Sequence, residues 1–180
     1  EGEEVELWAY SNCDEVELIV NGKKLGRQAM PKNGHLKWKA VYQPGKVVAY
    51  GYKNGKRTMT QVIETTKPAY KLVLKSDRQE IMADGRDVAV ITVEVQDQKG
   101  RIVPDACPML NLTLEGEGRI LGVGNGDPMY LGADHPKEQN CKSFSIPAFN
   151  GLAQVIVQSS ENPSQVTLRC QSEKLQTGSV

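Results

Sequence analysis

Apolar and polar residues alternate near the N-terminus, and this alternation is the clearest structural signal in the chain. Val16, Leu18 and Val20 alternate with two glutamates and an isoleucine, which is the period of a half-buried strand. Asn21 and Gly22 follow, and both tolerate the positive φ that a type I′ hairpin turn needs. The stretch therefore predicts a β-hairpin, and it contains no residue pattern that indicates chemistry.

Similar strand patterns recur roughly every eight to twelve residues along the rest of the chain, a spacing typical of β-sandwiches and barrels. No segment sustains a helical period. Besides the first hairpin, strands are predicted at Val5–Tyr10, Leu36–Tyr42, Lys46–Lys53, Lys56–Glu64, Tyr70–Leu74, Ala89–Val95, Leu110–Leu114, Arg119–Val123, Leu152–Gln158 and Gln165–Gln171. The chain is therefore predicted to be all-β, with two tandem antiparallel immunoglobulin-like β-sandwiches.

The best domain boundary is Thr65–Pro68, which is polar, contains a proline and separates two strand-rich blocks. We expect a small β-sandwich over residues 1–66 and an immunoglobulin-like domain over residues 67–180. Between residues 124 and 140 the chain is polar and rich in glycine and proline, which predicts a long loop.

Charge and composition exclude some classes of partner. The 180 residues contain 22 Lys and Arg and 22 Asp and Glu, so the formal net charge is zero. A nucleic-acid partner is not expected, because phosphate binding favours a basic surplus or stripe. No apolar run approaches the roughly 18 residues of a membrane span. The chain starts at Glu1 without a methionine, and we interpret it as an excised piece of a longer protein.

Few residues suggest catalysis or metal binding. Only two histidines occur, and no metal-ligand, nucleophile-elbow or phosphate-loop motif is present. A cation site is a minor alternative for four residues of the predicted loop, namely Asp127, Asp134, His135 and Glu138, although loop polarity and Asx-turns also explain them. The glycine-rich stretch Gly122–Gly126 precedes no helix, so tight turning explains it better than phosphate binding. We predict no catalytic residue, no metal site and no cofactor.

Aromatic residues concentrate in the first domain and allow two interpretations. Exposed aromatic rings stack on sugar rings, so the candidate carbohydrate contacts are Trp8, Trp38, Tyr50 and Tyr52. A small sandwich also uses large side chains to fill its core, and we favour that interpretation.

The hairpin sequence Ser11–Leu18, together with Asn21–Lys23, resembles a β domain that follows the catalytic barrel in bacterial glycoside hydrolase family 2 enzymes of the β-galactosidase type. Tyr50–Lys56 resembles the closing hairpin of that domain. In the second block, Ala83–Asp87 and Ile91–Val95 resemble an invasin-type immunoglobulin-like domain. Gly122–Pro128 and Phe149–Val155 resemble the C-terminal domain of the same enzymes from gut Bacteroidetes. The similarity covers nearly the whole chain in the order of the family.

The resemblance implies a retaining exo-glycosidase as the parent protein, with two catalytic glutamates on a (β/α)₈ barrel. No segment of this chain alternates strands with helices, so those glutamates have no counterpart here. The expected role is a non-catalytic C-terminal accessory region that buttresses the barrel or shapes substrate approach. Its expected partners are the catalytic and upstream domains and, as an option, carbohydrate. A carbohydrate-binding module and an adhesin-like spacer are the alternatives.

The resemblance also implies export to the periplasm or the cell surface, where disulfides are permitted. Cys107 and Cys141 lie in loop-like sequence of one domain and form the candidate pair. Four free thiols remain the alternative. Cys13 and Cys170 are expected to stay reduced, since Cys170 shares a strand face with apolar residues.

Overall fold

A computed structural model describes all 180 residues of the chain. It contains fourteen strands and no helix, and it divides into two compact units, Glu1–Thr65 and Thr66–Val180. All paired strands are antiparallel, which confirms the predicted all-β class. None of the elements is a helix of the length and apolarity that a membrane span requires.

The first unit is a small sandwich of two sheets. Its strands are β1 (Glu4–Ala9), β2 (Glu15–Val20), β3 (Lys23–Ala29), β4 (Leu36–Val41), β5 (Lys46–Lys53) and β6 (Lys56–Glu64). β1 pairs with β4 in a two-stranded sheet, and the other four strands form a sheet in the order β3-β2-β5-β6. Strands β3 and β6 therefore form the two edges of the larger sheet.

The core of the first unit follows from the alternation in the sequence. Val16 and Leu18 of β2 and Leu36 and Trp38 of β4 point into the space between the two sheets and are buried there. Burying a side chain of this size contributes about 1.5–3 kcal/mol. Partly buried apolar residues of β1, β3 and β5 pack against these four, and β6 contributes none of them.

Two Asn-Gly turns close the hairpins of the larger sheet. Asn21 and Gly22 have φ of 48° and 82°, and Asn54 and Gly55 have φ of 50° and 73°. Positive φ at both central residues defines a type I′ turn, whose twist matches that of the flanking strands. These two turns connect β2 to β3 and β5 to β6.

The second unit is a sandwich of two four-stranded sheets. Its strands are β7 (Lys71–Ser76), β8 (Val88–Gln96), β9 (Met109–Glu115), β10 (Arg119–Gly124), β11 (Ser143–Pro147), β12 (Leu152–Gln158), β13 (Thr167–Gln171) and β14 (Gly178–Ser179). The sheet orders are β10-β12-β8-β7 and β11-β9-β13-β14. Inward residues of both sheets form one core, whose centre includes Val93, Leu110, Val155 and Leu168.

The long segment between β10 and β11 has no regular structure, but internal hydrogen bonds hold its start. Asn125 donates from its side chain to the Pro147 carbonyl at 3.0 Å. Asp127 then accepts from the backbone N–H of Met129 at 2.9 Å. Tyr130 packs against the core of the second unit. The loop thus has an anchored base, from which Met129 and Leu131 project into solvent with 80% and 98% exposure.

Candidate functional site

The outer face of the two-stranded sheet carries the candidate site. In the β1–β4 register, Leu7 lies opposite Trp38 and Trp8 lies opposite Lys37. Because successive side chains of a strand point to opposite faces, Trp38 faces the core and Trp8 faces solvent. Trp8 is 50% exposed, and Tyr10, two residues further on, is 70% exposed.

Three aromatic rings meet on this face, and we call Trp8, Tyr10 and His35 the aromatic cluster. The Trp8 and His35 rings are stacked, with centroids 4.4 Å apart and an interplanar angle of 18°. Tyr10 is tilted against His35 at 5.3 Å and against Trp8 at 6.4 Å. Ring pairs at these distances attract each other beyond simple area burial, so the cluster is ordered while much of its surface stays exposed.

Charged groups surround the aromatic cluster. The indole N–H of Trp8 donates to Glu6 Oε2 at 2.9 Å, and this bond, with the nearby Lys37 charge, lowers the pKa of Glu6. The Lys37 ammonium lies 4.2 Å from the Trp8 ring centroid and 3.8 Å from Glu6 Oε2. The site therefore places an ionised carboxylate and an ammonium group beside an aromatic surface, which is a combination suited to polar ligands with apolar faces.

Trp38 is not a carbohydrate contact, which corrects the sequence prediction for this residue. Its ring is 5% exposed and belongs to the core of the first unit. The indole N–H of Trp38 is buried without a hydrogen-bond partner. The sequence pattern placed both tryptophans on strand faces but did not reveal which face was the core.

Tyr50 and Tyr52 lie on the outer face of the larger sheet, where arginines cover their rings. The Arg57 guanidinium carbon is 4.5 Å from the Tyr50 centroid, and that of Arg27 is 3.6 Å from the Tyr52 centroid. Tyr52 also donates its hydroxyl to Glu17 Oε2 at 2.8 Å, and this bond raises the pKa of Tyr52. Both rings thus take part in cross-strand packing, and the four predicted aromatics do not form one surface.

The candidate cation ligands of the long loop are not gathered into a site. The structure contains no group of three His, Cys, Asp or Glu side chains that could hold a metal ion. His135 and Asp134 form an exposed pair at 2.6 Å, and the hydrogen bond from His135 lowers the pKa of Asp134. Asp127 instead accepts a bond within its own turn.

The predicted disulfide between Cys107 and Cys141 is wrong for this structure, in which all four cysteines are free. Cys141 is buried in the core of the second unit, and its thiol donates to the Ser143 carbonyl at 3.0 Å, whereas Cys107 is exposed. Cys170 is fully buried, and burial raises the pKa of its thiol to about 12. Cys141 and Cys170 therefore act as small apolar side chains of the core and not as members of a disulfide.

Sequence reasoning missed His35 as the centre of the aromatic cluster. His35 precedes β4, and the β1–β4 register ends with Ala9 opposite Leu36. Continuing that register brings His35 opposite Tyr10. His35 reaches the cluster only through the pairing of two strands that lie about 27 residues apart in the sequence. Local alternation does not specify such a pairing.

Comparisons with known proteins give matches along nearly the whole chain. Residues 72–180 match the family model for glycoside hydrolase family 2 C-terminal domain 5. Residues 2–59 match a model described as a domain of unknown function, DUF4982. A β-galactosidase from Bacteroides ovatus is 36% identical over 176 residues, which cover 97% of this chain and 20% of that protein.

Solved structures give a similar result. A glycosyl hydrolase family 2 member from Bacteroides cellulosilyticus superposes with a TM-score of 0.92 and 30% identity, over 100% of this chain and 24% of that one. A β-glycosidase from Bacteroides vulgatus superposes with a TM-score of 0.90 and 29% identity, over 100% and 22% of the two chains. The chain thus spans about a fifth to a quarter of the length of these relatives.

Proposed function

Because the chain belongs to the glycoside hydrolase family 2 C-terminal domain 5 family, we propose that it buttresses the catalytic barrel of a longer glycoside hydrolase or shapes the approach of its substrate. The chain itself is a non-catalytic C-terminal region. The observation that supports the proposal is the share of each protein that is aligned. Both sandwiches match, but together they correspond to only a fifth of the length of a protein named β-galactosidase.

A domain exchange tests this role. In the Bacteroides ovatus β-galactosidase, the matched C-terminal segment is deleted in one variant and replaced by this chain in another. We expect the deletion to lower the melting temperature or kcat/KM, and the exchange to restore most of the loss. An exchanged enzyme that behaves like the deletion would contradict the proposal. The chain alone should hydrolyse aryl galactosides and aryl glucuronides no faster than buffer does.

The contact with the catalytic domain is best assigned to the long loop between β10 and β11. Its base is hydrogen-bonded, and Met129 and Leu131 expose almost their whole side chains. Exposed apolar groups on an anchored loop are typical of binding surfaces. In the exchanged enzyme, Leu131→Ser should therefore lower the melting temperature, whereas the same substitution in the isolated chain should leave it unchanged. Equal effects in both contexts would count against this contact.

Carbohydrate binding by the aromatic cluster is a second candidate function. The observation that favours it is the exposure of Trp8 and Tyr10 beside the ionised Glu6. Pyranose rings have an apolar face that packs on aromatic rings and hydroxyl groups that bond to carboxylates. The probe is methyl β-D-galactopyranoside, followed by the two indole N–H signals in an NMR titration.

We expect the Trp8 indole signal to shift with sugar concentration, and the signal of the buried Trp38 to serve as the internal reference. Tyr10→Ala should weaken the response, and Tyr50→Ala, whose ring is covered by Arg57, is the matched control. No movement of the Trp8 signal, or equal movement of both indoles, would argue against a sugar site.

We also propose that the parent protein works in the periplasm or at the cell surface. This proposal of a compartment is supported only by the similarity of the chain to its family. Cell fractionation of the source organism, with antibodies to this chain, tests the proposal, and a purely cytoplasmic signal would oppose it.

A further inference from the structure

Strand β6 is an open and unusually exposed sheet edge. Its nine residues, Lys56–Glu64, are nearly all exposed, including Met59 at 58%, Val62 at 40% and Ile63 at 65%. Met59 and Ile63 share the inner face of the sheet, yet no residue of β6 joins the core of the first unit. A long edge strand with exposed apolar residues is a template for pairing with another strand.

The hydrogen bonds between β5 and β6 show which backbone N–H and C=O groups of β6 face the open edge. The Thr65 N–H donates to the Gly45 carbonyl at 2.8 Å, and Gly45 and Thr65 continue the β5–β6 register. Backbone groups alternate sides along an antiparallel strand. The N–H and C=O groups of Thr60 and Val62 therefore point away from β5, towards the open edge.

The opposite edge of the same sheet is protected. Strand β3 carries Lys23, Lys24 and Arg27, and the register shifts between Leu18 and Ile19 of its neighbour. Charged side chains and bulges both discourage edge pairing. The β5–β6 register also shifts, between Gly51 and Tyr52, so a bulge lies near the start of β6. Beyond this bulge, residues 59–63 include no charged residue, glycine or proline, and such a segment favours strand association.

We propose that β6 pairs antiparallel with β6 of a second copy of this chain, centred on Gln61. In this register Met59 lies opposite the partner's Ile63, so the two most exposed apolar residues of β6 meet on the same face. Thr60 lies opposite the partner's Val62, and their edge-facing groups exchange backbone hydrogen bonds. The arrangement is two-fold symmetric and therefore closed.

Charge complementarity supports the antiparallel orientation and selects a second copy as the occupant. β6 begins with Lys56 and Arg57 and ends with Glu64. In the register centred on Gln61, Glu64 lies opposite the partner's Thr58, next to the partner's Arg57, twice in each dimer. Glu64 also lies 3.9 Å from Lys46 Nζ of its own chain, so the two acidic and basic ends form one group of mixed charge. A parallel pairing would bring like charges together, which is unfavourable.

A single strand pair makes a small interface, below the range of about 1,200–2,000 Å² typical of stable complexes. We therefore expect a reversible dimer with a Kd of micromolar order or weaker. The inference is independent of the proposed role in a glycoside hydrolase, since it concerns the chain by itself.

Sedimentation equilibrium of the 180-residue chain tests the proposal. Between about 1 µM and 500 µM, a range that brackets the Kd expected for a small interface, the mean mass should rise from 19.8 kDa towards twice that value. Val62→Pro removes an edge-facing N–H without removing a bond to β5, and it should abolish the rise. Ala29→Pro is the matched control, because its N–H faces the open edge of β3, and it should leave the rise intact.

Amide exchange by NMR locates the contact. The N–H groups of Thr60 and Val62 should become protected as concentration rises, whereas those of Gln61 and Ile63, which bond to β5, should be protected throughout. Ile63→Lys at this exposed position should also prevent dimerisation while preserving the fold. A monomer at every concentration, a dimer that survives Val62→Pro, or equal sensitivity to Ala29→Pro would overturn the proposal.

Discussion

Trp8 and Trp38 lie on neighbouring strands of one sheet and face opposite sides of it, so the same substitution should have very different effects. Trp38→Ala should lower the free energy of unfolding by about 3–5 kcal/mol, because it empties the core of a small unit. Trp8→Ala should cost less than about 1 kcal/mol, since the ring is half exposed. Urea denaturation followed by circular dichroism measures both.

Trp38→Phe provides the control for this comparison. It keeps most of the ring and removes an indole N–H that has no partner, and an unsatisfied buried donor costs about 1–3 kcal/mol. Trp38→Phe should therefore cost less than half as much as Trp38→Ala. Equal losses for the two Trp38 variants would show that ring volume is not what this position supplies.

Asp97 is the most heavily bonded carboxylate in the second unit. It is fully buried and accepts backbone N–H groups of Lys67, Lys99 and Arg101 at 2.9–3.0 Å. The Arg101 guanidinium adds two more bonds, at 2.8 and 2.6 Å. The bonds from Arg101, followed by those from the backbone, hold the pKa of Asp97 far below its usual value.

This depressed pKa predicts a specific dependence of stability on pH. The stabilisation is complete above the unfolded-state pKa, about 3.9, and is lost as pH falls below it towards the native pKa. Asp97→Asn should reduce stability at pH 7 and flatten its decline between about pH 5 and pH 2. Urea unfolding at several pH values tests this. Glu138→Gln, at an exposed position, should keep the decline, and a wild-type slope in Asp97→Asn would refute the assignment.

The free thiols predict how the native chain reacts with Ellman's reagent. Cys107 is exposed, whereas Cys13, Cys141 and Cys170 are buried. We expect one fast thiol in the native state, because the thiolate needs solvent access and burial raises the pKa of Cys170. In denaturant without reductant, four thiols should titrate. Cys107→Ser should remove only the fast phase. If only two thiols titrated in denaturant, the chain would contain a disulfide after all.

At the scale of elements, the two Asn-Gly turns have the same backbone shape but different side-chain roles. Asn21 Oδ1 accepts from the Lys46 N–H at 2.7 Å, so its side chain holds the start of β5. The side chain of Asn54 makes no such bond. The backbone N–H of Asn54, however, donates to Asp14 Oδ2 at 2.7 Å. The Asn21 side chain therefore reinforces the pairing of β2 with β5, whereas the backbone of the second turn is bonded to the residue that precedes β2.

Alanine substitutions separate these two roles. Asn54→Ala should cost about 1 kcal/mol, because alanine tolerates positive φ less well than asparagine does. Asn21→Ala should cost about 2 kcal/mol, since it also removes the bond to Lys46. Asn21→Gly relieves the φ penalty but not the lost bond, and it should lie between them. Guanidinium unfolding measures the three values, and an Asn54→Ala cost at or above that of Asn21→Ala would contradict this account.

Local sequence patterns predicted which segments form strands better than they predicted which face of each strand is buried. The alternation of Val16 and Leu18 and the Asn-Gly turns are encoded within a few residues, so β2, β3, β5 and β6 were predictable. β11 is short and ends in Pro147, and β14 has two residues, so neither gives a periodic signal. The side on which Trp8 or Trp38 lies depends on the distant pairing of β1 with β4, which local patterns do not fix.

At the scale of the whole molecule, the sequence supported the fold class and the family but not a site. The ordered motifs of both halves identified the family, because each reflects a turn or strand with local requirements. The aromatic cluster, by contrast, forms only when β1 and β4 pair. Cys141 illustrates the same limit, since its loop-like sequence suggested accessibility, whereas folding buries it beneath the strands of the second unit.

Limited proteolysis should cut the long loop between β10 and β11 before it cuts Thr65–Pro68. The loop exposes Met129 and Leu131 outside any strand, and exposed loop tips are preferred cleavage sites. At the boundary, Thr65 N–H donates to Gly45 at 2.8 Å and Lys67 N–H donates to Asp97 at 3.0 Å. Proteases need extended, unbonded backbone, so these bonds protect the boundary.

Subtilisin suits this experiment because it cleaves at many sequences, whereas trypsin does not cut a Lys-Pro bond such as Lys67-Pro68. Mass spectrometry over time should show a first cut within residues 125–140. The two fragments should still elute together in native size exclusion, because β12, which follows the loop, pairs with β10, which precedes it. A first cut at residues 65–68, or fragments that separate without denaturant, would show that the boundary opens more easily than the loop.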